Sequence, residues 1–498
     1  MNSFHPRSVF VVFLLLLSTL RAVAQEEPQE WTYISFRNFE IYSHVSEKKT
    51  LKLAKSLKVY LDGIGMAMPF IEDSANGKFK ILVLKDEKEF YRYIPSGSIT
   101  PNTRSGYMEV AGYRMICLNG DIKEKEAIDT LYGILSKVFL TNKGDYSRWF
   151  IDGMTEILST FKSTGYKKIS VGMNLPYHQS WFKSDAFRTF EQSSEGILNV
   201  RNSPPGYPNS EERNVYQTQC YQLCHYFVFN DDRELLPKFI RFAERSMLDD
   251  QTEALLSQEL GLTYQVLDSR ISRYKTMPYF TYKYEAGFSD IASKHPAPLD
   301  LQRTLFLGER ISESYGMMGI RQLDLMQQYP NDPIVLEIST LYYDAVGEED
   351  QFTEYLVKAI DAGSPNPYLK LYYGKYLVDE AVKEYGRHDV PANIIQKAIS
   401  YINPIFEEDR NNILGAVLYL YAWIESRDLA NDSLNPFLEE AYNRHKDSAS
   451  VLLNLAAIYN RRQDADGLSK VLTPLKTMRL GDEQQEKVDW FQEQLATY

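Results

Sequence analysis

Trp149-Phe150-Ile151-Asp152-Gly153-Met154-Thr155-Glu156-Ile157-Leu158-Ser159-Thr160-Phe161 reads as the body of a helix expected over 147–163. Asp152 and Glu156 stand four apart in it, which puts both carboxylates on one helical face. A helix is expected before it over 124–141, and others after it at 184–192, 213–230, 232–247 and 251–274. Further upstream the period changes. Phe36, Phe39, Ile41 and Tyr42 alternate as a strand within 31–45, and Phe79–Leu84 reads as a second. Gly106–Tyr113 and Arg114–Leu118 read as a hairpin, and Lys168–Val171 is strand-like. Leu51, Leu53, Leu57, Tyr60 and Leu61 mark an amphipathic helix with Ser46 as its cap, and Asp86 caps a short helix running through Phe90 and Tyr93. A small sheet in front with helices behind predicts an α+β domain over 31–275.

Beyond residue 300 only helical signals remain. Pro333 and Pro367 stand 34 residues apart, as do Gly415 and Ala449. In the second alignment Leu418 matches Leu452, Tyr421 matches Leu455, and Ala422 matches Ala456. Leu452-x2-Leu455-Ala456-x2-Tyr459 is the clearest unit. Tyr343-x3-Gly347 with Ala359, and Gly374 in the next unit, occupy the large, turn and small positions. A helix–turn–helix period of about 34 residues is the tetratricopeptide signature, in which small residues let paired helices approach. The expected organisation is therefore an α+β domain at 31–275, a linker at 276–299 carrying Pro278, Gly287, Pro296 and Pro298, and an all-α tetratricopeptide-like solenoid at 300–498. Its irregular units fall near 299–332 and 380–410.

The chain has 498 residues, 44% hydrophobic and 24% charged, which excludes a disordered or fibrous protein. Its 55 Lys and Arg against 67 Asp and Glu give a net charge of -12, which argues against sequence-independent nucleic-acid binding. Residues 1–24 read as a signal peptide: Arg7, an apolar run through Val9–Leu17, and Ala22-Val23-Ala24 as the cleavage pattern, with Gln25 as the mature start. The apolar stretch from Ser8 to Leu20 falls short of the ~20 residues that span a bilayer. No other segment is apolar enough to span, so the mature chain is expected to be exported, to a periplasm or outside the cell. Its three cysteines supply little scope for cross-links. Cys220 and Cys224 share one helical face, where disulfide geometry is rarely met, so core thiols are expected. Cys117 is expected to pack in the sheet.

A gluzincin peptidase needs H-E-x-x-H on one helix: two imidazoles a turn apart bind zinc and the Glu activates its water. No His-Glu pair exists here. The run at Trp149–Phe161 nevertheless resembles the W-L-N-E-G-L-A-E-F-x-S-T-F run of the gluzincin-like "peptidase MA" family with attached helical repeats. Leu131-Tyr132-Gly133-Ile134-Leu135-Ser136-Lys137-Val138-Phe139-Leu140 resembles that family's L-Y-H-E-x-x-H-x-x-L helix. Gln219-Cys220-Tyr221-Gln222-Leu223-Cys224-His225-Tyr226 resembles its Q-S-W-x-x-x-H-Y helix, and Leu255–Leu262 with the helix to Tyr274 resembles its closing segment. The resemblance implies a zincin-like fold and a bacterial source. Carried over by position, the first ligand His is Gly133, the catalytic Glu is Ile134, the second ligand His is Lys137, and the acidic ligand is Asp152, with Glu156 one turn on. Without imidazoles such a set holds no zinc. The expectation is a pseudopeptidase with no catalytic residues, no metal and no cofactor.

From that loss follows a specific contact. Lys137 stands where the metal would bind, so its ammonium is expected within about 4 Å of the Asp152 or Glu156 carboxylate. His178 and His225 are expected to be hydrogen-bonded structural residues. The function expected is a non-catalytic binding or scaffold protein whose helical repeats take a protein or peptide partner. A hydrolase of altered chemistry is the alternative, though no G-x-S-x-G, P-loop or G-x-G-x-x-G supports it and Ser136 beside Lys137 is a thin basis for a Ser–Lys mechanism. Carbohydrate binding is a third reading, drawn from 36 Tyr and 5 Trp; aromatic richness at helical spacing is more often core.

Overall fold

The computed structural model describes residues 31–498 except 73–77, 95–104, 122, 144–145, 174–179, 201–209, 231, 233, 248–251, 275–278, 286, 409–411, 430–433, 447, 477 and 479. The expected signal peptide at 1–24, Pro278 and His178 lie outside the described residues. The rest falls into two compact units, one drawn from residues 1–54, 77–127 and 289–373, the other from 55–76, 128–288 and 374–498.

The first unit is built on a five-stranded sheet of β1 (Thr32–Phe36), β2 (Phe39–Ser43), β3 (Phe79–Leu84), β4 (Ser105–Val110) and β5 (Tyr113–Asn119), in the order β1-β2-β3-β5-β4. The single strand expected within 31–45 is a hairpin instead. The chain reverses at Arg37, whose φ of 50 breaks the alternation. β2, β3 and β5 are parallel, and the edge strands β1 and β4 run antiparallel to their neighbours. Ala111 and Gly112, at φ 49 and 79, turn β4 into β5 as the expected hairpin. Both residues in the left-handed region suit the twist of a two-residue hairpin turn. α1 (Glu47–Ala67) follows Ser46, and Asp86 caps α2 (Glu87–Phe90) by accepting from the Glu89 amide.

Into this unit enter helices the sequence assigns to a separate array: α11 (Pro298–Ile311), α12 (Tyr315–Gln328), α13 (Pro333–Val346) and α14 (Glu349–Asp361). Leu301 and Leu305 of α11 share a core with Trp31, Tyr42, Leu82, Leu84 and Cys117 of the sheet. The chain does change unit inside the expected linker, between 288 and 289, but the helices that follow join the sheet's unit up to 373. A buried polar cluster explains why. Glu337 of α13 is fully buried and accepts from Tyr113 of β5 at 2.8 Å, from Asn366 at 3.0 Å and from Ser364 at 3.1 Å. Arg303 of α11 pairs with Asp300 at 2.6 Å and lies 3.6 Å from Glu337. Lys80, the one charged residue in the all-buried strand β3, stands in register opposite Glu40 and donates to it at 2.6 Å.

The second unit holds α3 (Glu124–Lys143) from Ile128 onward, α4 (Arg148–Ser159), β6 (Lys162–Thr164), β7 (Lys168–Val171), α5 (Asp185–Phe190), α6 (Ser194–Leu198), α7 (Ser210–Val228), α8 (Leu235–Arg245), α9 (Thr252–Leu260), α10 (Tyr264–Arg273) and β8 (Phe280–Lys283). The helix expected over 251–274 is two helices. Gly261 takes φ 68, which an α-helix does not admit, and Thr263 caps α10 by accepting from the Val266 amide. β8 lies in the stretch read as linker and completes a three-stranded antiparallel sheet, β6-β7-β8. The same unit takes α15 (Pro367–Tyr385) from Gly374, then α16 (Ala392–Glu408), α17 (Ile413–Glu425), α18 (Asn435–His445), α19 (Ala449–Arg461), α20 (Ala465–Leu475) and α21 (Asp482–Leu495).

The region past 298 is mostly helical, as expected. Pro333 and Pro367, 34 apart, both open a helix. The Gly415–Ala449 alignment is two residues out of phase with the helices, since α17 begins at 413 and α19 at 449, a step of 36. Its core positions still agree: Leu418, Leu452, Ala422 and Ala456 are all buried. α19 packs on α20 and α18, and also on α17 and α21 beyond them. No helix among the described residues is long and apolar enough to cross a membrane.

Candidate functional site

α4 and α7 cross at close range, and glycine sets the distance. A Cβ on Gly153 would lie 2.3 Å from the Cys220 carbonyl and 2.6 Å from Cys224 Sγ. Trp149, Phe150, Met154, Ile157 and Leu158 bury the rest of α4. Cys220 and Cys224 are free thiols in that crossing, and Cys117 is a third buried one. Burial, with the nearby Asp152 charge, pushes both α7 thiols far above the usual cysteine range, and burial alone pushes Cys117 up to about 12. All three stay protonated at neutral pH, so none is a nucleophile.

Asp152 is paired from within its own helix. Arg148, one turn earlier, donates through Nε to Oδ2 at 2.9 Å, and the carboxylate is only 10% exposed. Glu156 is half-buried, and after burial and Tyr274 it helps raise the Tyr221 hydroxyl. On α3, Gly133 opens on space: a Cβ there would meet nothing within 4 Å. Ile134 is half-buried and Lys137 is exposed. Lys137 makes no ion pair with Asp152 or Glu156. The expected replacement of a metal by the Lys137 ammonium is therefore wrong. The partner that Asp152 needs is supplied at i−4 by Arg148, a spacing that already meets on a helix surface, and Lys137 keeps its hydration.

Ser136 and Lys137 point apart. Ser136 is fully buried, donates to the Tyr132 carbonyl at 2.6 Å and lies 2.5 Å from the Tyr60 hydroxyl. Tyr60 and Tyr132 stack at 4.1 Å, and Phe161 meets both edge-on. This aromatic block fastens α3 to α1 and immobilises the one serine that a Ser–Lys mechanism would require.

His225 is fully buried, with Nε2 2.8 Å from the Gly172 carbonyl and Nδ1 2.8 Å from the Tyr274 hydroxyl. A carbonyl only accepts, so Nε2 carries a proton and donates to Gly172. The ring stacks on Phe229 at 4.3 Å and ties the loop after β7 to the chain after α10. That is the structural role expected of it.

Beside α7 lies a polar cavity of about 410 Å³ lined by Glu191, Gln219, Gln222 and Asp268 among others. Asp268 accepts from the Ser194 amide at 2.8 Å and from its hydroxyl at 2.6 Å. Gln219 is clasped to the Gln192 backbone through both amide ends. Partial burial, then the Asp268 charge, raise the Glu191 carboxyl. Nothing in the helical period marks this cavity, because its walls come from three separate elements. Among the described residues, no three His, Cys, Asp or Glu side chains gather so as to hold a metal ion.

Compared with models of known protein families the sequence matches none, and comparison with curated proteins finds no similar one.

Proposed function

We propose that the chain is an exported, non-catalytic binding protein. Its front part is built on the frame of a gluzincin-like peptidase, and its helices from Gly374 onward form a tetratricopeptide-like array that takes a protein or peptide partner. The observation that carries the reading is the Arg148–Asp152 pair. At the position where the resembling family has an acidic metal ligand, the carboxylate is already neutralised by a guanidinium at 2.9 Å. A divalent ion there would have to displace Arg148 and find its other ligands at Gly133 and Lys137, which offer none. The helical part supports the binding role through its repeated pairing: α19 packs on its two chain neighbours and on the next helix beyond each. Stacked pairs of that kind present extended surfaces for partners. The acidic balance of the chain fits partners other than nucleic acid. The leader read at 1–24 supports export, to a periplasm or outside a bacterial cell.

The test is hydrolysis of a mixed peptide library by the mature protein with zinc added and with chelator added. The reading predicts the same cleavage rate in both, at the level of buffer. Zinc-dependent cleavage that Asp152→Ala abolishes would establish a working peptidase.

A further inference from the structure

The register of the β6-β7-β8 sheet sorts its side chains strictly by face. Ile169 and Val171 of β7 are buried, 1% and 3% exposed, and Tyr282 and Phe280 stand opposite them in β8. The other face carries Lys162 and Thr164 of β6, Lys168 and Ser170 of β7, and Thr281 and Lys283 of β8. Lys168 and Lys283 are direct cross-strand partners. Like charges in that position repel and weaken a sheet. Lys162, Lys167, Lys168 and Lys283 are all exposed. A chain with 67 acidic and 55 basic residues thus keeps three lysines on one face of a small sheet and a fourth, Lys167, in the adjoining turn.

At the end of that face the β6–β7 turn and the chain after β8 enclose a cavity of about 620 Å³, within the range of small-ligand sites. Tyr166, Lys167, Lys283, Tyr284, Glu285 and Phe288 line it. The rings of Tyr166 and Phe288 meet edge to face at 5.2 Å, and the Lys55 ammonium sits 5.4 Å over Phe288. The Tyr284 hydroxyl is fixed by Asp62. Tyr166 takes φ 56 directly after Gly165 at φ 58. These two residues are the centre of the β6–β7 turn, closed by the Lys167 amide donating to the Thr164 carbonyl at 3.1 Å, and the turn sets Tyr166 at the end of the face.

We propose that this sheet face and its aromatic cavity bind an acidic oligosaccharide. Aromatic faces take the C–H side of a sugar ring, the lysines take its carboxylate or sulfate groups, and binding relieves the repulsion between Lys168 and Lys283. A neutral glycan would leave the lysines unanswered, and a nucleic acid would need a basic surface far larger than this one. The proposal is independent of the pseudopeptidase reading and of the helical array.

The experiment is calorimetric titration of the full mature chain with a galacturonic acid hexamer and with a heparin hexasaccharide. The methyl-esterified galacturonate hexamer, a glutamate hexapeptide and a thymidine decanucleotide are the comparison arms. Binding of at least one acidic sugar is expected, at least roughly tenfold tighter than any comparison arm and weakening with salt. Lys168→Ala with Lys283→Ala is expected to cost at least roughly tenfold in affinity while raising the melting temperature, since repulsion is removed. Tyr166→Gly is expected to lose affinity while keeping or raising the melting temperature, since it relieves the left-handed backbone. The proposal is overturned if neither acidic sugar binds, if the ester, the peptide or the oligonucleotide binds as tightly, or if the folded lysine variant keeps full affinity.

Discussion

At the scale of single residues, charge pairing is decided by reach. Lys137 needed a neighbouring helix to offer a carboxylate, whereas Arg148 needed only its own helix. Arg148→Ala leaves Asp152 10% exposed without a partner, and should cost about 1–3 kcal/mol in urea unfolding. Lys137→Ala should stay within about 0.5 kcal/mol, as an exposed side chain does. Equal effects of the two changes would contradict the assignment. Glu40 gives a pH prediction. Burial raises its carboxyl, and the Lys80 ammonium at 2.6 Å, with Arg303 behind it, more than reverses that, leaving it below the usual carboxylate range. Lys80 itself is pulled down by burial and only partly restored by Glu40. A carboxyl held lower in the folded than in the unfolded chain adds stability above its unfolded value near 4.3, and that stability is lost as pH falls through the folded value. Urea midpoints measured below about pH 5 should therefore fall more steeply for the natural protein than for Glu40→Gln. Parallel curves would mean that the pair carries no such linkage.

Among elements, most helices and strands were legible because the core repeats at 3.6 or 2 residues. α4, α7, β3 and the β4–β5 hairpin stand where the pattern puts them. The misreadings sit at backbone reversals. Arg37 and Gly261 take left-handed φ inside runs whose apolar pattern continues across the break, so periodicity alone joined β1 to β2 and α9 to α10. β6 and β8 went unread because three or four residues give no usable period. Gly172 makes such a reversal testable. It takes φ 85, and a Cβ there would lie 2.0 Å from the Phe229 ring that stacks on His225. Gly172→Ala should cost about 3 kcal/mol or more in urea unfolding, since it adds both strain and a clash. A loss under about 1 kcal/mol would show that the loop yields freely. In the helical part, Leu452 and Leu455 are fully buried in the seam of α19. Leu452→Ala should cost about 2–5 kcal/mol by the same measure. A negligible loss would contradict the packing of that helix.

For the whole molecule, the sequence separates an α+β front from a helical remainder, and the structure bears out that contrast. What it does not give is the allegiance of residues 289–373, which belong to the sheet's unit. The cause is long-range and polar: Tyr113 and Glu337 are 224 residues apart and meet through one buried hydrogen bond. No periodicity encodes such a pair, although Lys80 inside the apolar run Phe79–Leu84 was a visible sign of a buried partner. The lysine face was hidden in the same way, because Lys168 and Lys283 become neighbours only through strand register. Gly133, Ile134, Lys137, Asp152 and Glu156 were legible individually, and their mutual distances were not. Elemental analysis of the purified mature chain, after exposure to excess zinc and removal of the unbound ion, tests the non-catalytic reading most directly. Zinc content far below one ion per chain is predicted, unchanged in Asp152→Ala; about one retained zinc per chain, lost in Asp152→Ala, would contradict it.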